Sequence, residues 1–234
     1  AISFVAAGTG VGTVTTNLAL VAPTVVSCDI LVAEIISANN TAVIAPQGWN
    51  LIQDVTNTAA MRTYIGWKRA GSDDSGATFN FTVAGTTNSF GVIAAWRGVS
   101  QTGNPVGGSS TSANALSDTV TYATLTPSKV GNTLIACGAY NLNATTAGAM
   151  SGVDPTFTNR VDIEDAALAS IFMYDGPSLT GIATGSRTHS TTSTVDAINH
   201  GFLFDFLPGG TESGGGGKDG DIKYPRLERR GDRM

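Results

Sequence analysis

Strand-length segments in which apolar and polar residues alternate, each bounded by turn residues, recur along most of this 234-residue chain. In residues 78–83, TFNFTV, the apolar side chains fall on every second position. This spacing puts them on one face of a strand and the polar side chains on the other. It is typical of a half-buried antiparallel strand. The pattern therefore predicts an all-β protein.

The composition favours the same fold class. Only 13% of the residues are charged, against about one quarter in an average globular protein. Thr, Ala, Gly and Ser take their place, and three of these four residue types form helices poorly. Because the apolar residues still cluster into strand-length runs, we expect a folded chain rather than a disordered one.

Twelve strands are predicted, in two series separated by a Gly- and Ser-rich stretch. The first series covers residues 2–5, 29–36, 49–55, 62–68, 77–83 and 90–96. The second series covers residues 119–125, 133–140, 159–163, 168–174, 186–191 and 201–207. The second overlays the first at a nearly constant offset of roughly 103 to 110 residues. We therefore predict an internal duplication and an antiparallel, jelly-roll-like β-sandwich of two similar halves with about six strands each.

Charge and glycine content predict four parts in the chain. These are a first sandwich half (1–102), a linker (103–118), a second half (119–208) and a Gly-rich extended C-terminal arm (209–234). Residues 1–208 carry 7 Lys/Arg and 13 Asp/Glu, whereas the arm carries 6 and 5. Four consecutive glycines and few apolar residues leave the arm without a core of its own. We expect a partner protein or a neighbouring copy of the chain to hold it.

Apolar anchors and arginines make the second part of the arm the predicted partner-binding segment. Arginine pairs well with carboxylates, and aromatic anchors contribute much of the binding energy at interfaces. The candidate residues are Ile222, Tyr224, Pro225, Arg226, Leu227, Arg229 and Arg230.

No pattern of residues predicts catalysis, a cofactor or a metal site, and we expect a protein that is not an enzyme. His189 and His200 flank Asp196, but no known mechanism uses that spacing. We expect the two histidines on the exposed face and loop of a strand pair. The acidic groups at 73–74 and 162–165 lack the alternation of a calcium loop, and we expect them in turns between strands.

Three tryptophans suggest an alternative function, that of a carbohydrate-binding or host-adhesion module. Trp67 and Trp96 lie within apolar runs, which favours burial between sheets. Trp49 follows a turn signal and is the predicted platform for a host-surface glycan. Cys28 and Cys137 lie beside or within strand-like runs and are predicted to be buried, unpaired thiols.

The charge and hydropathy pattern excludes two classes of partner. Residues 1–208 are acidic and their few basic residues are scattered, so we expect no nucleic-acid binding. The longest apolar stretches are far shorter than the roughly 20 residues that a membrane-spanning helix needs, so we expect no membrane partner. The first residues lack the basic and apolar regions of a signal peptide, so synthesis in the cytoplasm is expected.

Six motifs resemble a family of β-rich structural proteins of tailed bacteriophages and prophages. They are residues 29–32 (DILV), 46–49 (PQGW), 67–73 (WKRAGSD), 95–99 (AWRGV), 159–162 (NRVD) and 180–188 (TGIATGSRT). The resemblance covers most of residues 1–208 and leaves the arm unmatched. It implies a non-enzymatic virion component, such as a capsid decoration, tail or fibre-associated protein, with no catalytic residues to carry over.

Overall fold

A computed structural model shows an all-β protein built from antiparallel strands. It describes residues 1–57, 60–85, 88–129, 131–141, 148–151, 156–165, 169–178, 183–192 and 197–209. The described residues contain sixteen strands and no helix. The prediction of an all-β antiparallel sandwich is therefore confirmed.

Nine strands precede residue 100 and seven follow it. The first nine are β1 (Ser3–Ala7), β2 (Val11–Thr13), β3 (Asn17–Val21), β4 (Ile30–Ala38), β5 (Val43–Ile44), β6 (Asn50–Asn57), β7 (Met61–Arg69), β8 (Thr78–Val83) and β9 (Ser89–Arg97). The others are β10 (Val106–Ser117), β11 (Thr119–Tyr122), β12 (Thr133–Tyr140), β13 (Thr158–Asp165), β14 (Ala169–Pro177), β15 (Arg187–Ser190) and β16 (Ala197–Phe206). Each of the twelve predicted segments coincides with one of these strands.

The strands form two large sheets and two small ones. The first large sheet has the order β1-β9-β4-β7-β6, with β2 also paired to β9, and the second has the order β10-β16-β12-β14-β13. The small sheets are β3-β8-β5 and β11-β15. The two large sheets have the same order once their strands are ranked along the chain. That is the order an internal duplication predicts, and the division into two similar halves stays a prediction.

Three apolar clusters separate the four sheets. The largest, which we call the central layer, lies between the two large sheets and includes Val32 and Trp96 from the first and Cys137 and Phe204 from the second. A second cluster lies between the first large sheet and β3-β8-β5. The third lies between the second large sheet and β11-β15. The two large sheets are therefore in the middle of a four-layer stack, and each is covered on both faces.

Burial on both faces explains why apolar and polar residues do not alternate along the inner strands. β4 reads ILVAEIISA, and eight of its nine residues are buried. Its even-numbered residues face the central layer and its odd-numbered residues face the β3-β8-β5 sheet. A strand covered on both sides needs apolar residues at nearly every position.

The linker predicted over residues 103–118 is wrong for most of its length, because residues 106–117 form strand β10. This strand pairs with β16 along an edge of the second large sheet. Its sequence, VGGSSTSANALS, has no apolar alternation and resembles a flexible connection. This strand forms because its backbone pairs with the buried strand β16, and not because its own side chains are buried.

Candidate functional site

The described chain ends at a corner where the ends of the two large sheets meet. Val99 and Pro208 form an antiparallel bridge, and the Gly209 N–H donates to the Gly98 carbonyl at 2.8 Å. Gly98 has a φ of 79°, and a Cβ there would lie 2.3 Å from the Ala1 carbonyl oxygen. Only glycine fits this position without strain. The predicted arm therefore starts from a hydrogen-bonded corner.

All seven candidate partner-binding residues lie outside the described residues. They are Ile222, Tyr224, Pro225, Arg226, Leu227, Arg229 and Arg230. Of the predicted arm, residues 209–234, only Gly209 is described. The partner-binding assignment stays a prediction.

His200 lies in the central layer and is completely buried, so its predicted place on an exposed strand face or loop is wrong. Its Nδ1 atom is 2.8 Å from the hydroxyl oxygen of Thr63, which β7 brings across from the other large sheet. Burial lowers the pKa of His200 to about 4, so the ring is neutral at pH 7. A hydroxyl beside an imidazole can serve as a nucleophile and base, but here neither side chain reaches solvent.

His189 is also buried, against the prediction, in the cluster beneath the β11-β15 sheet. Its Nδ1 atom is 3.0 Å from the Tyr122 hydroxyl, and its ring packs edge-on against Phe172 at 5.0 Å. Burial lowers the pKa of His189 to about 4. The two histidines lie in different apolar clusters, and each has its own hydroxyl partner.

Among the described residues, Glu34 is the one fully buried carboxyl group of the central layer. It lies on β4, the middle strand of the first large sheet, and the Cys137 thiol of β12 faces it from the middle strand of the second. Neither carboxyl oxygen has a well-formed hydrogen bond within the described part of the chain. Burial raises the pKa of Glu34 well above its usual value, and the weak thiol donor only partly opposes this. The buried site therefore favours the protonated, neutral form of Glu34.

The acidic groups considered as calcium ligands lie in a turn, where Asp74 forms an ion pair and hydrogen bonds, and in a strand. Asp74 lies in a turn, as predicted, where it accepts from the Gly71 N–H at 2.7 Å and pairs with Lys68. Residues 162–165, expected in a turn, are part of β13. No group of three or more potential metal ligands occurs among the described residues.

Polar side chains link the two large sheets at the edge opposite His200. The Trp96 indole N–H donates to the Asp175 carboxylate at 3.0 Å, and Arg160 donates to the other oxygen of that carboxylate at 2.7 Å. The Arg160 guanidinium also lies 5.5 Å from the centre of the Phe4 ring. Phe4, Arg160 and Asp175 line a cavity of about 270 Å³ between β1 and the β13-β14 edge. These contacts fix the relative position of the sheets.

A further ion pair joins Asp29, directly before β4, to Arg97 at the end of β9 in the first large sheet. Arg97 binds both of its carboxyl oxygens at 2.8 Å. Burial acts to raise the pKa of Asp29, but hydrogen bonds from Arg97 and the Val26 N–H outweigh it, and the pKa is lowered overall. The pair holds the strand ends beside the corner where the described chain ends.

The burial of the three tryptophans differs in part from the prediction. Trp96 is buried, as expected. Trp49, the predicted glycan platform, packs edge-on against Phe79 and Phe81 at 5.4 and 5.1 Å. Trp67 is only half-buried, and it lines a cavity of about 450 Å³ at the rim of the central layer. Trp67 is therefore better placed than Trp49 to contact a ligand.

The Trp67 cavity combines an aromatic ring with exposed amide side chains. Its other lining residues are Asn50, Leu51, Gly103 and Asn104. The Asn104 amide oxygen accepts from the Val106 N–H at 3.1 Å, which leaves its NH₂ group for other contacts. Aromatic rings and directional amides are the groups that saccharides and other polar ring compounds use.

The two cysteines are free, and only one is buried. Cys137 lies in the central layer, as predicted, whereas Cys28 is exposed. Cys28 occupies a turn before β4 with a φ of 76°, and it therefore lies outside the buried strand that follows.

Comparison of the chain with protein-family models, curated proteins and solved structures finds no match. Among the described residues, no helix has the length and apolar character needed to span a membrane.

Proposed function

We propose that this chain is a non-enzymatic structural component of a bacteriophage virion, in the role of a capsid decoration, tail or fibre-associated protein. It assembles with other virion proteins or with copies of itself, through its sheets and its C-terminal arm. The proposal combines the motif resemblance with the way the described residues use their polar groups. Its location is the virion, after synthesis in the host cytoplasm.

The observation that carries the proposal is that buried polar groups join strands and sheets to each other. Thr63 and His200 link the two large sheets within the central layer. The buried Asp205 carboxylate accepts from both the backbone N–H and the hydroxyl of Ser128, at 2.9 and 3.0 Å. Such links favour a rigid body over an open catalytic cleft, and rigidity suits a particle that persists outside a cell.

The test is incorporation of a truncated chain that lacks residues 210–234. Residues 1–209 keep the Gly209 hydrogen bond to Gly98, so we expect the truncated chain to fold with unchanged circular dichroism. Particles purified from cells that carry the truncation in place of the native gene should contain less than about a tenth of the normal amount, because removing several anchors costs more than about 1.4 kcal/mol.

A matched control separates the anchors from the length of the arm. Replacing Gly214–Gly217 with serine keeps the length and charge of the arm, and we expect normal incorporation. Replacing Tyr224 and Leu227 with serine should reproduce the truncation. Full incorporation of the truncated chain would show that the arm has no role in assembly, and absence of the full-length chain from particles would refute the virion function itself.

A second candidate function, carbohydrate binding, is favoured by the Trp67 cavity. Its ring and the Asn50 and Asn104 amides form the lining, and the Arg69 guanidinium lies 5.9 Å from the ring centre. This candidate keeps the host-surface glycan as partner and moves the site from Trp49 to Trp67. On a virion, the two functions are compatible.

A glycan array with the full-length chain tests this second function. Asn50→Ala removes an exposed amide from the cavity and should abolish saturable binding without loss of stability. Asn17→Ala, an exposed asparagine on β3 outside the cavity, is the matched control and should bind normally. Absence of saturable binding by the unmodified chain would leave the assembly function alone.

A further inference from the structure

Strand β10 is the longest edge strand of the described residues and differs from the other edges. An edge strand presents unpaired backbone N–H and C=O groups, which proteins usually protect with charges, bulges or short length. Six of the other edge strands, β1, β2, β3, β5, β11 and β15, have five residues or fewer. The two longer ones, β6 and β13, carry charged residues, including Asp54 on β6 and Arg160 on β13.

β10 has none of these protections in its middle. It is 12 residues long, contains no charged residue and no proline, and pairs within the described residues with β16 alone. Its register with β16 is regular from Gly108 to Asn114 and is interrupted by irregularities on both sides. The regular stretch, GSSTSAN, has small side chains, and Ser109 and Ala113 are exposed. Except at the Asn114 carbonyl, which accepts from the Asn57 amide, this stretch is therefore an open pairing surface.

This stretch is compatible with itself in an antiparallel pair. With the middle residue, Thr111, opposite its own copy, Ser110 lies opposite Ser112 and Ser109 opposite Ala113. Thr–Thr and Ser–Ser pairs are favourable across antiparallel strands, and no like charges meet. Residues 1–208 carry 7 basic and 13 acidic groups, so an uncharged edge is where two copies repel each other least.

We propose that β10 of one copy pairs with β10 of a second copy in an antiparallel, two-fold arrangement centred on Thr111. The two five-stranded sheets then form one continuous ten-stranded sheet. The inference deepens the proposed assembly function and rests on it for its biological purpose, but the pairing is a property of the chain in solution.

The neighbouring edge of the first large sheet allows this approach. β6 lies beside β10, where the Gln53 amide donates to the Ser109 hydroxyl at 2.6 Å. The charge of Asp54 on β6 is neutralised by Arg62, whose two nitrogens bind its oxygens at 2.6 Å. The Asn57 amide donates to the Asn114 carbonyl at 2.7 Å, which marks the end of the open stretch.

Disulfide trapping of the full-length chain tests the register directly. In a background of Cys28→Ser, which removes the exposed native thiol, Thr111→Cys places two thiols on strand positions about 4.5–5.5 Å apart between Cα atoms. That separation lies within the range for a disulfide. Ser109→Cys is the control, because its two copies are about 13 Å apart in this register. We expect a cross-linked dimer for Thr111→Cys only.

Light scattering over a range of concentrations measures the pairing without cross-links. Ala113→Lys adds a charge at an exposed position of β10 and should weaken the dimer about tenfold. Thr158→Lys adds the same charge to an exposed position on β13, the other edge of the same sheet, and should have no effect. Thermal unfolding of both variants verifies that they are folded.

Three results would overturn the inference. They are a chain that stays monomeric at millimolar concentration, a dimer that Ala113→Lys leaves intact, and equal cross-linking at positions 109 and 111. Each leaves the virion function in place if the chain is still found in particles. Conversely, a β10 dimer formed by a chain that never enters particles supports the pairing and refutes the virion function.

Discussion

Glu34→Gln tests the state of the buried carboxyl in the central layer. Glutamine has nearly the same shape as glutamic acid but cannot ionise. Because burial raises the pKa of Glu34 in the folded protein, the folded chain keeps a proton that the unfolded chain releases above its usual pKa of 4.5. The free energy of unfolding of the native chain therefore falls as pH rises above 4.5.

The size of the effect follows from this linkage. While Glu34 stays protonated in the folded state, each pH unit above 4.5 costs about 1.4 kcal/mol of stability. Glu34→Gln removes that cost, so the stability of the variant relative to the native chain should rise between pH 5 and pH 7, by at most about 1.4 kcal/mol for each pH unit. Glutamine and the protonated form of Glu34 are both neutral, so their desolvation costs are similar.

Urea unfolding of both chains at pH 5, 6 and 7 measures the difference. Taking the difference removes the contributions of the histidines, which titrate in both chains. Glu164→Gln, the same substitution at an exposed position on β13, is the matched control. A stability difference for Glu34→Gln that is the same at all three pH values would show that the carboxyl is ionised in the folded protein.

Three further predictions concern the buried polar groups and one tight glycine. Thr63→Val leaves His200 without its hydroxyl partner and should lower the free energy of unfolding by about 1–3 kcal/mol, measured in urea at pH 7. Since the pKa of His200 falls from 6.5 to about 4 on folding, the folded state holds fewer protons between these values. Its stability should fall by about 3 kcal/mol as pH drops through that window, and His200→Phe should lose this part of the pH dependence. Gly201→Ala puts a Cβ 1.9 Å from the Thr121 carbonyl oxygen and should cost about 3 kcal/mol in thermal unfolding, whereas Gly71→Ala, whose nearest neighbour is 3.7 Å away, should cost little.

The fold class was predictable because the inner strands carry most of the apolar residues. Runs such as ILVAEII in β4 and GFLFDF in β16 have strand length and are bounded by turns. Four strands were missed, for two reasons. β2, β3 and β5 have two to five residues, too few for a pattern, and β10 is formed by backbone pairing in a sequence of small polar residues.

The burial and the contacts of the candidate site residues could not be predicted from the sequence, because they depend on how the sheets pack together. His200 follows a polar residue and precedes an apolar run, which fits both an exposed strand end and a buried face. Only the presence of the first large sheet, which supplies Thr63, decides between them. Similarly, Trp49 and Trp67 both lie near strand ends, and contacts with Phe79 and Phe81 bury one side of Trp49.

The central layer limits how this chain can be divided or recombined. Each large sheet covers the inner face of the other, and side chains such as Glu34 and Cys137 contact each other across the layer. Either large sheet alone would expose the apolar side chains of three or four strands to water. The two large sheets are therefore not interchangeable modules, and substitutions on their facing inner surfaces should have coupled effects on stability.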